Sequence, residues 1–331
     1  MKRLGILTGG GDCPGLNPVI NAVVKTAIRK YGMTVVGFKN GYKGLYNNET
    51  VELTLENTSG IIHRGGTILY SSNKDNLFDY LVPDENGNMV KKNVSHVGVE
   101  NIKKNNIDAM IIIGGDGTLT SGRDFSRLGV PVIGVPKTID NDLAYTDFTL
   151  GFDTAVNTVL WAINALRDTM TSHDRVSIIK VMGRHCGDIA LYAGICGGAE
   201  YILVPEVPYD IQKIANEIKK NKERGKTASI IILAEGAGNE QEIKTLVSVI
   251  SGADVKFSTL GHIQRGGTPT MFDRMIAAKF GVKAIDLLLD GKTNRVVGCR
   301  GKEIFDLDIT EALSQKKKFD TELYKMSTIL S

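Results

Sequence analysis

Strand-length apolar runs alternating with longer helix-period segments predict an α/β chain built from two doubly wound, mostly parallel sheets. Two further observations support that class. Glycine-rich turns follow several of the runs, and 331 residues with 42% hydrophobic and 23% charged content suffice for two packed cores. The runs are LGIL at 4–7, TVVGF at 34–38, AMIII at 109–113, VIGV at 132–135, SIIKV at 177–181 and SIIILA at 229–234. Elsewhere Phe152, Val156, Val159, Leu160, Ile163 and Leu166 keep the 3.6-residue period, as do Ile276, Phe280, Ala284, Leu287 and Leu288. These segments read as helices covering the sheets, and the arrangement is Rossmann-like.

In chain order, TGGGD follows the first run and opens a helix over 17–31. Residues 73–96 are polar with NGN as a turn, which predicts a surface hairpin. GGDGT (114–118) follows the third run and PKTIDND (136–142) the fourth. Ligands gather at the carboxyl ends of parallel strands, so these loops are expected along one sheet edge. A second α/β unit begins near residue 141, with loops MGRHCGD (182–188) and AEGAG (234–238) expected to face that edge. The active site is therefore expected in the cleft between two domains. The expected boundaries are 1–140 plus 255–305 for the larger domain and 141–254 plus 306–331 for the smaller. A helix carrying Ile211, Ile214 and Ile218 is expected to continue through KKNKERGK at 219–226, whose cations read as a solvated face.

A formal net charge of +3, with no basic tract interleaved with aromatics, argues against nucleic acid as a partner. No apolar leader or spanning stretch precedes the first strand, so no membrane association is expected. Cys13, Cys186, Cys196 and Cys299 lack CxxC spacing, which fits reduced thiols and a cytoplasmic location. Cys13 and Cys186 lie in glycine-rich motifs, where a small residue suits a tight loop, and neither is assigned chemistry.

Consecutive glycines in TGGGDCPG and GGDGT leave backbone N–H groups free and permit close approach, so each loop can form an anion nest. A plain turn would look the same. Asp116 tips the balance, because a carboxylate beside phosphates is costly unless a divalent cation lies between them. In PKTIDND, Thr138, Asp140 and Asp142 fall two residues apart and share one side of an extended turn. An Asx-turn or helix cap is the non-catalytic alternative. The chemical reading makes Asp140 the base that deprotonates an alcohol, Thr138 a hydrogen-bonding partner of the travelling phosphoryl group, and Arg184 a counter-charge. His262 and Arg265, three apart before a glycine turn, suit a sugar phosphate. These groups point to a kinase acting on a hydroxyl.

Taken in order, GGDCPGLN, RGGT, GGDGT, TIDND, TSHDR, MGRHCGD, GHIQRGGTP and DRM occur as they do in the 6-phosphofructokinases, and the chain resembles that family over nearly its whole length. The resemblance implies phosphoryl transfer from ATP to O1 of fructose 6-phosphate, giving fructose 1,6-bisphosphate in glycolysis, with Mg2+. By motif it implies a donor site at Gly11, Gly115, Asp116, Gly117 and Thr118, with Asn73, Lys74 and Lys137 beside it and the metal at Asp116. It implies catalytic roles for Asp140, Thr138 and Arg184. The implied sugar contacts are Thr138, Ile139, Asp140, Met182, Gly183, Arg184, Glu235, His262, Ile263, Gln264 and Arg265. Arg175 and Lys256 match a pair that family members extend across a subunit boundary, so a homodimer or homotetramer with shared active sites is implied. The larger domain would then bind donor and the smaller one sugar phosphate.

Four departures qualify this mapping. Pyrophosphate-dependent members resemble this chain at Lys137, yet carry aspartate where Gly117 stands. A carboxylate there would crowd and repel an inner phosphate of ATP, so ATP is the expected donor and pyrophosphate the alternative. Asn73 replaces a bridging arginine, for which Lys74 or Lys137 is the substitute. Lys256 keeps the charge of an arginine without its fork. Asn21, Lys25 and Leu55 stand where allosteric members bind effectors, leaving only Arg167, so little or no response to phosphoenolpyruvate is expected there. NAD kinases and lipid kinases share GGDGT but not the later motifs. A non-catalytic sugar-phosphate sensor would typically have lost Asp116 or Asp140, and sedoheptulose 7-phosphate is a conceivable second acceptor.

Overall fold

The computed structural model describes residues 1–226 and 228–330. Strands run β1 (Arg3–Thr8), β2 (Thr34–Phe38), β3 (Thr50–Leu53), β4 (Tyr80–Pro83), β5 (Met89–Lys92), β6 (Ala109–Gly114) and β7 (Val132–Pro136), then β8 (Arg175–Val181), β9 (Tyr201–Leu203), β10 (Ser229–Ala234) and β11 (Asp254–Thr259), and lastly β12 (Arg295–Arg300) and β13 (Glu303–Asp308). All six apolar runs read from the sequence lie within strands. The chain divides into two compact units, one comprising residues 1–138, 143–151 and 265–317, the other residues 139–142, 152–264 and 318 onward.

In the first unit, a seven-stranded sheet is formed among the described residues in the order β13-β12-β7-β6-β1-β2-β3. Its inner strands pair in parallel, and the edges β3 and β13 are antiparallel to their neighbours. The β6 segment is buried throughout, because both faces of a parallel sheet are covered by helices. On one face, helix Leu16–Tyr31 packs against helix Met271–Leu289, where a Cβ on Gly281 would lie 2.7 Å from that of Ala22. Truncating a fully buried core residue such as Ile111 to alanine would cost about 2–5 kcal/mol. The polar stretch forms the expected hairpin: β4 and β5 pair antiparallel, and Asp84 Oδ1 accepts the N–H groups of Asn86 and Asn88 in the turn, each at 2.8 Å.

In the second unit, a four-stranded, all-parallel sheet has the order β11-β8-β10-β9. Four segments fall in the other unit from the one expected: residues 139–140 belong here, residues 143–151 belong to the first unit, where Leu150 N–H donates to Pro136 O at 3.1 Å, and two longer segments also change sides. Residues 255–264 belong here, because β11 pairs with β8 from Asp254↔Arg175 to Thr259↔Lys180. Residues 306–317 stay with the first unit, because β13 pairs with β12. Helix Ile211–Glu223 also stops short of the end of KKNKERGK, with Arg224 as its C-cap and Gly225 at φ 90°.

Candidate active site

In the first unit, β7, β6 and β1 are adjacent and parallel, so the loops that follow them leave the sheet from one edge. Succession runs outward in opposite directions from β1 and β6, which makes their junction the topological switch point. The first glycine loop is held by backbone bonds: Gly9 N–H donates to Ile113 O at 2.9 Å and Gly10 N–H to Ser72 O at 3.0 Å. The Lys137 ammonium, 3% exposed, donates to the Gly11 carbonyl. Glycine is required at position 9 by close approach, since a Cβ there would lie 2.7 Å from the Thr118 side chain. At Gly11 and Gly117 a Cβ would meet nothing within 4 Å, leaving an open approach to the backbone.

Helix ends divide in the same sense. Helices Leu16–Tyr31 and Asp116–Arg127 start at Gly15 and Gly115 with no side-chain cap. Helices Ile211–Glu223, Glu240–Ser251 and Met271–Leu289 start at Asp210, Asn239 and Thr270, whose side chains accept first-turn N–H groups. Of these two glycine-capped ends, that of Leu16–Tyr31 is buried from Cys13 to Ile20, whereas that of Asp116–Arg127, with Asp116 and Gly117 exposed, has N–H groups and a positive dipole open to an anion.

A groove of about 680 Å3 in this unit is lined by Gly10, Gly11, Asp12, Gly66, Asn73, Lys74 and Arg265, among others. A neighbouring groove of about 630 Å3 shares Asn40, Ser71, Ser72 and Lys74 and extends to Asn76 and Tyr80. The 64–68 segment, part of the wall of the first groove, is shaped by Asn17, 1% exposed: Nδ2 donates to the Arg64 and Gly65 carbonyls at 3.1 Å each, and Oδ1 accepts the Ile68 N–H at 2.8 Å. Sequence reading missed Asn17 because its partners lie about fifty positions away. Asp116 is exposed at the start of its helix, Thr118 is buried, and Thr138 is half-buried. Burial and the charge of Asp116 push the Tyr145 phenol well above its usual range.

In the second unit, β11, β8 and β10 are adjacent and parallel, and their following loops again leave one edge. Arg184, Glu235, His262 and Ile263 are exposed, whereas Met182 is half-buried and Gln264 fully buried. Gly183 sits at φ 116°, and Gly236 N–H donates to its carbonyl at 3.2 Å. A Cβ on Gly236 would overlap the Arg184 carbonyl, so only glycine permits this packing of the AEGAG turn. Gly187 N–H donates to Glu206 Oε1 at 2.8 Å. Asn141 Nδ2 donates to Asp188 Oδ2 at 2.9 Å, which brings the half-buried Asp140 and buried Ile139 to the end of the MGRHCGD motif.

Arg175 and Lys256 share one acid. Arg175 Nε lies 2.8 Å from Asp254 Oδ2 and Lys256 Nζ 2.9 Å from Asp254 Oδ1, and these two hydrogen bonds hold the Asp254 carboxyl below its usual range. Asp254 was not singled out in the sequence. Arg167 spends its guanidinium on the carbonyls of Gly197 and Gly198, and buried Asn21 donates to Thr58 O at 2.6 Å.

Comparison with known proteins agrees with these motifs. Residues 3–288 match the family model for phosphofructokinase. The chain is 51% identical over 331 residues to an ATP-dependent 6-phosphofructokinase of Clostridioides difficile, covering 100% of both. It is 50% identical to the ATP-dependent 6-phosphofructokinase 2 of Clostridium perfringens, over 97% of this chain and 94% of that one. Among solved structures, Pichia pastoris phosphofructokinase in the T-state is 30% identical with a TM-score of 0.84; the match covers 95% of this chain but 37% of that longer one. A pyrophosphate-dependent phosphofructokinase from Marinobacter aquaeolei shares the fold at 22% identity and a TM-score of 0.85. The chain belongs to the phosphofructokinase family.

Proposed function

We propose that this chain is an ATP-dependent 6-phosphofructokinase, moving the γ-phosphoryl group of ATP to O1 of fructose 6-phosphate. What supports this most is full-length identity near one half to relatives of that name, with Asp116 and Asp140 retained inside intact motifs. Gly11 in the first loop and the uncapped start of helix Asp116–Arg127 in the second receive the phosphates through backbone N–H groups. Among the described residues, no cluster of three His, Cys, Asp or Glu side chains is arranged to hold a metal alone. That suits magnesium, which takes one or two carboxylates and completes its shell with phosphate oxygens and water. Asp116 would hold it, and the ion supplies charge neutralisation at the donor phosphates.

Asp140 accepts the O1 proton as the new bond forms, Thr138 hydrogen-bonds the travelling phosphoryl group, and Arg184 offsets its charge. His262 and Arg265 bind the 6-phosphate, and Arg175 with Lys256 extends that grip to a second copy of the chain. The acid shared by these two cations keeps them presented as a pair. Lys137, the feature that favours a pyrophosphate-dependent enzyme, has a local role: its ammonium ties down the Gly11 carbonyl. The mixed signature therefore does not require a change of donor. A cytoplasmic location fits the four free cysteines.

The test is product identification. With fructose 6-phosphate, magnesium and γ-labelled ATP, label should appear in fructose 1,6-bisphosphate. Absence of labelled bisphosphate at substrate concentrations that saturate the relatives would refute the proposal.

A further inference from the structure

One buried side chain joins two of the candidate acceptor loops. Gln264 is 0% exposed, so it offers no surface to a substrate. Its Oε1 accepts the Met182 N–H at 3.1 Å, and its Nε2 donates to the Gly261 carbonyl at 2.9 Å. Met182 opens the segment bearing Gly183 and Arg184, and Gly261 opens the 3-10 turn bearing His262.

The sheet itself leaves the spacing of these segments open. The ladder between β8 and β11 ends at Lys180↔Thr259, with one further bond from Leu260 N–H to Lys180 O at 3.1 Å. Beyond it, the clasp made by Gln264 is the next tie between the two segments. A carboxamide suits this place because it presents an acceptor to an N–H and a donor to a carbonyl at once. A carboxylate would set oxygen against the Gly261 oxygen, and an aliphatic side chain would leave both backbone groups without their partner.

We propose that Gln264 is a positioning residue for sugar binding: it fixes the separation of the Met182–Arg184 segment and the His262 turn, and reaches the substrate only through them. The inference rests on the acceptor reading given above. Variants at this position should still fold, because the 182–187 segment keeps its bonds from Gly236 to Gly183 and from Gly187 to Glu206.

The experiment compares wild type, Gln264→Leu and Gln264→Glu by steady-state kinetics for each substrate and by amide hydrogen exchange. For Gln264→Leu, kcat/KM for fructose 6-phosphate should fall by about 10- to 100-fold, the scale set by an ångström-level misplacement, with KM for ATP unchanged. For Gln264→Glu, the deficit relative to wild type should shrink as pH is lowered, because protonation restores the hydrogen that the Gly261 carbonyl accepts. Exchange at Met182 should accelerate in Gln264→Leu. An equal loss for both substrates, an unchanged sugar kcat/KM, or a deficit in Gln264→Glu that ignores pH would overturn the inference. Exchange is read without turnover: if wild type fails to phosphorylate the sugar, the acceptor reading falls, and unaltered exchange at Met182 overturns the clasp independently.

Discussion

The two units offer different atoms to a ligand. Each has three adjacent parallel strands whose loops leave one sheet edge, β1, β6 and β7 in the first and β8, β10 and β11 in the second. In the first unit the loops after β1 and β6 are glycine-rich, the approach is open at Gly11 and Gly117, and helix Asp116–Arg127 starts without a side-chain cap. In the second, glycine serves close backbone packing at Gly183 and Gly236, and Arg184, Glu235 and His262 are exposed. Backbone N–H groups recognise phosphate whatever it is attached to, whereas side chains placed in three dimensions recognise one sugar. On the proposed function, the difference makes donor and acceptor specificity separable, and substitutions should divide along the same line.

The largest expected effect lies on the acceptor side of that line. Asp140→Ser should lower kcat by roughly three orders of magnitude while sugar KM stays near the wild-type value. Unchanged turnover would remove Asp140 from the role of base. Next comes the metal carboxylate: Asp116→Asn should lower kcat/KM for magnesium-ATP on the order of 100-fold, with sugar KM unaffected, as judged by varying each substrate in turn. If sugar KM rose instead, the division between units would be wrong. Asn17→Leu sharpens the comparison, since it removes the brace of the 64–68 segment without touching a ligand. KM for ATP should rise about 10-fold with sugar KM unchanged, and stability should fall by about 1–3 kcal/mol from buried groups left unpaired. The smallest effect belongs to Arg167→Ala, whose guanidinium bonds two backbone carbonyls. A stability loss of about 1 kcal/mol and no change in response to phosphoenolpyruvate are expected, and sigmoidal kinetics abolished by this change would contradict that.

Much of this arrangement was legible in the chain because it is local. Buried parallel strands read as continuous apolar runs, and glycine turns directly follow them, so the order of loops around each sheet was open to inference. Strands at the margins were not. β9 is three residues long, β11 is DVKFST with alternating exposure at a sheet edge, and β13 is EIFDLD, half-exposed at the other sheet's edge. β9 is apolar but too short to stand out, β11 and β13 are half polar, and the missed pairing of β11 is what misplaced residues 255–264. Gln264 illustrates a different limit. Its neighbours in GHIQR suggest a substrate contact, and only the position of Met182, some eighty residues earlier, turns it into an internal brace. Asp254 escaped notice for the same reason, since one of its two cations comes from β8.

The central claim, that the first unit accepts a nucleoside triphosphate through glycine backbone, is tested most directly by donor choice. Rates with fructose 6-phosphate and magnesium are measured in parallel with ATP and with inorganic pyrophosphate at matched concentrations. Turnover with ATP and little or none with pyrophosphate is the predicted result. Faster turnover with pyrophosphate would contradict it, and would show that Lys137 outweighs Gly117 in setting the donor.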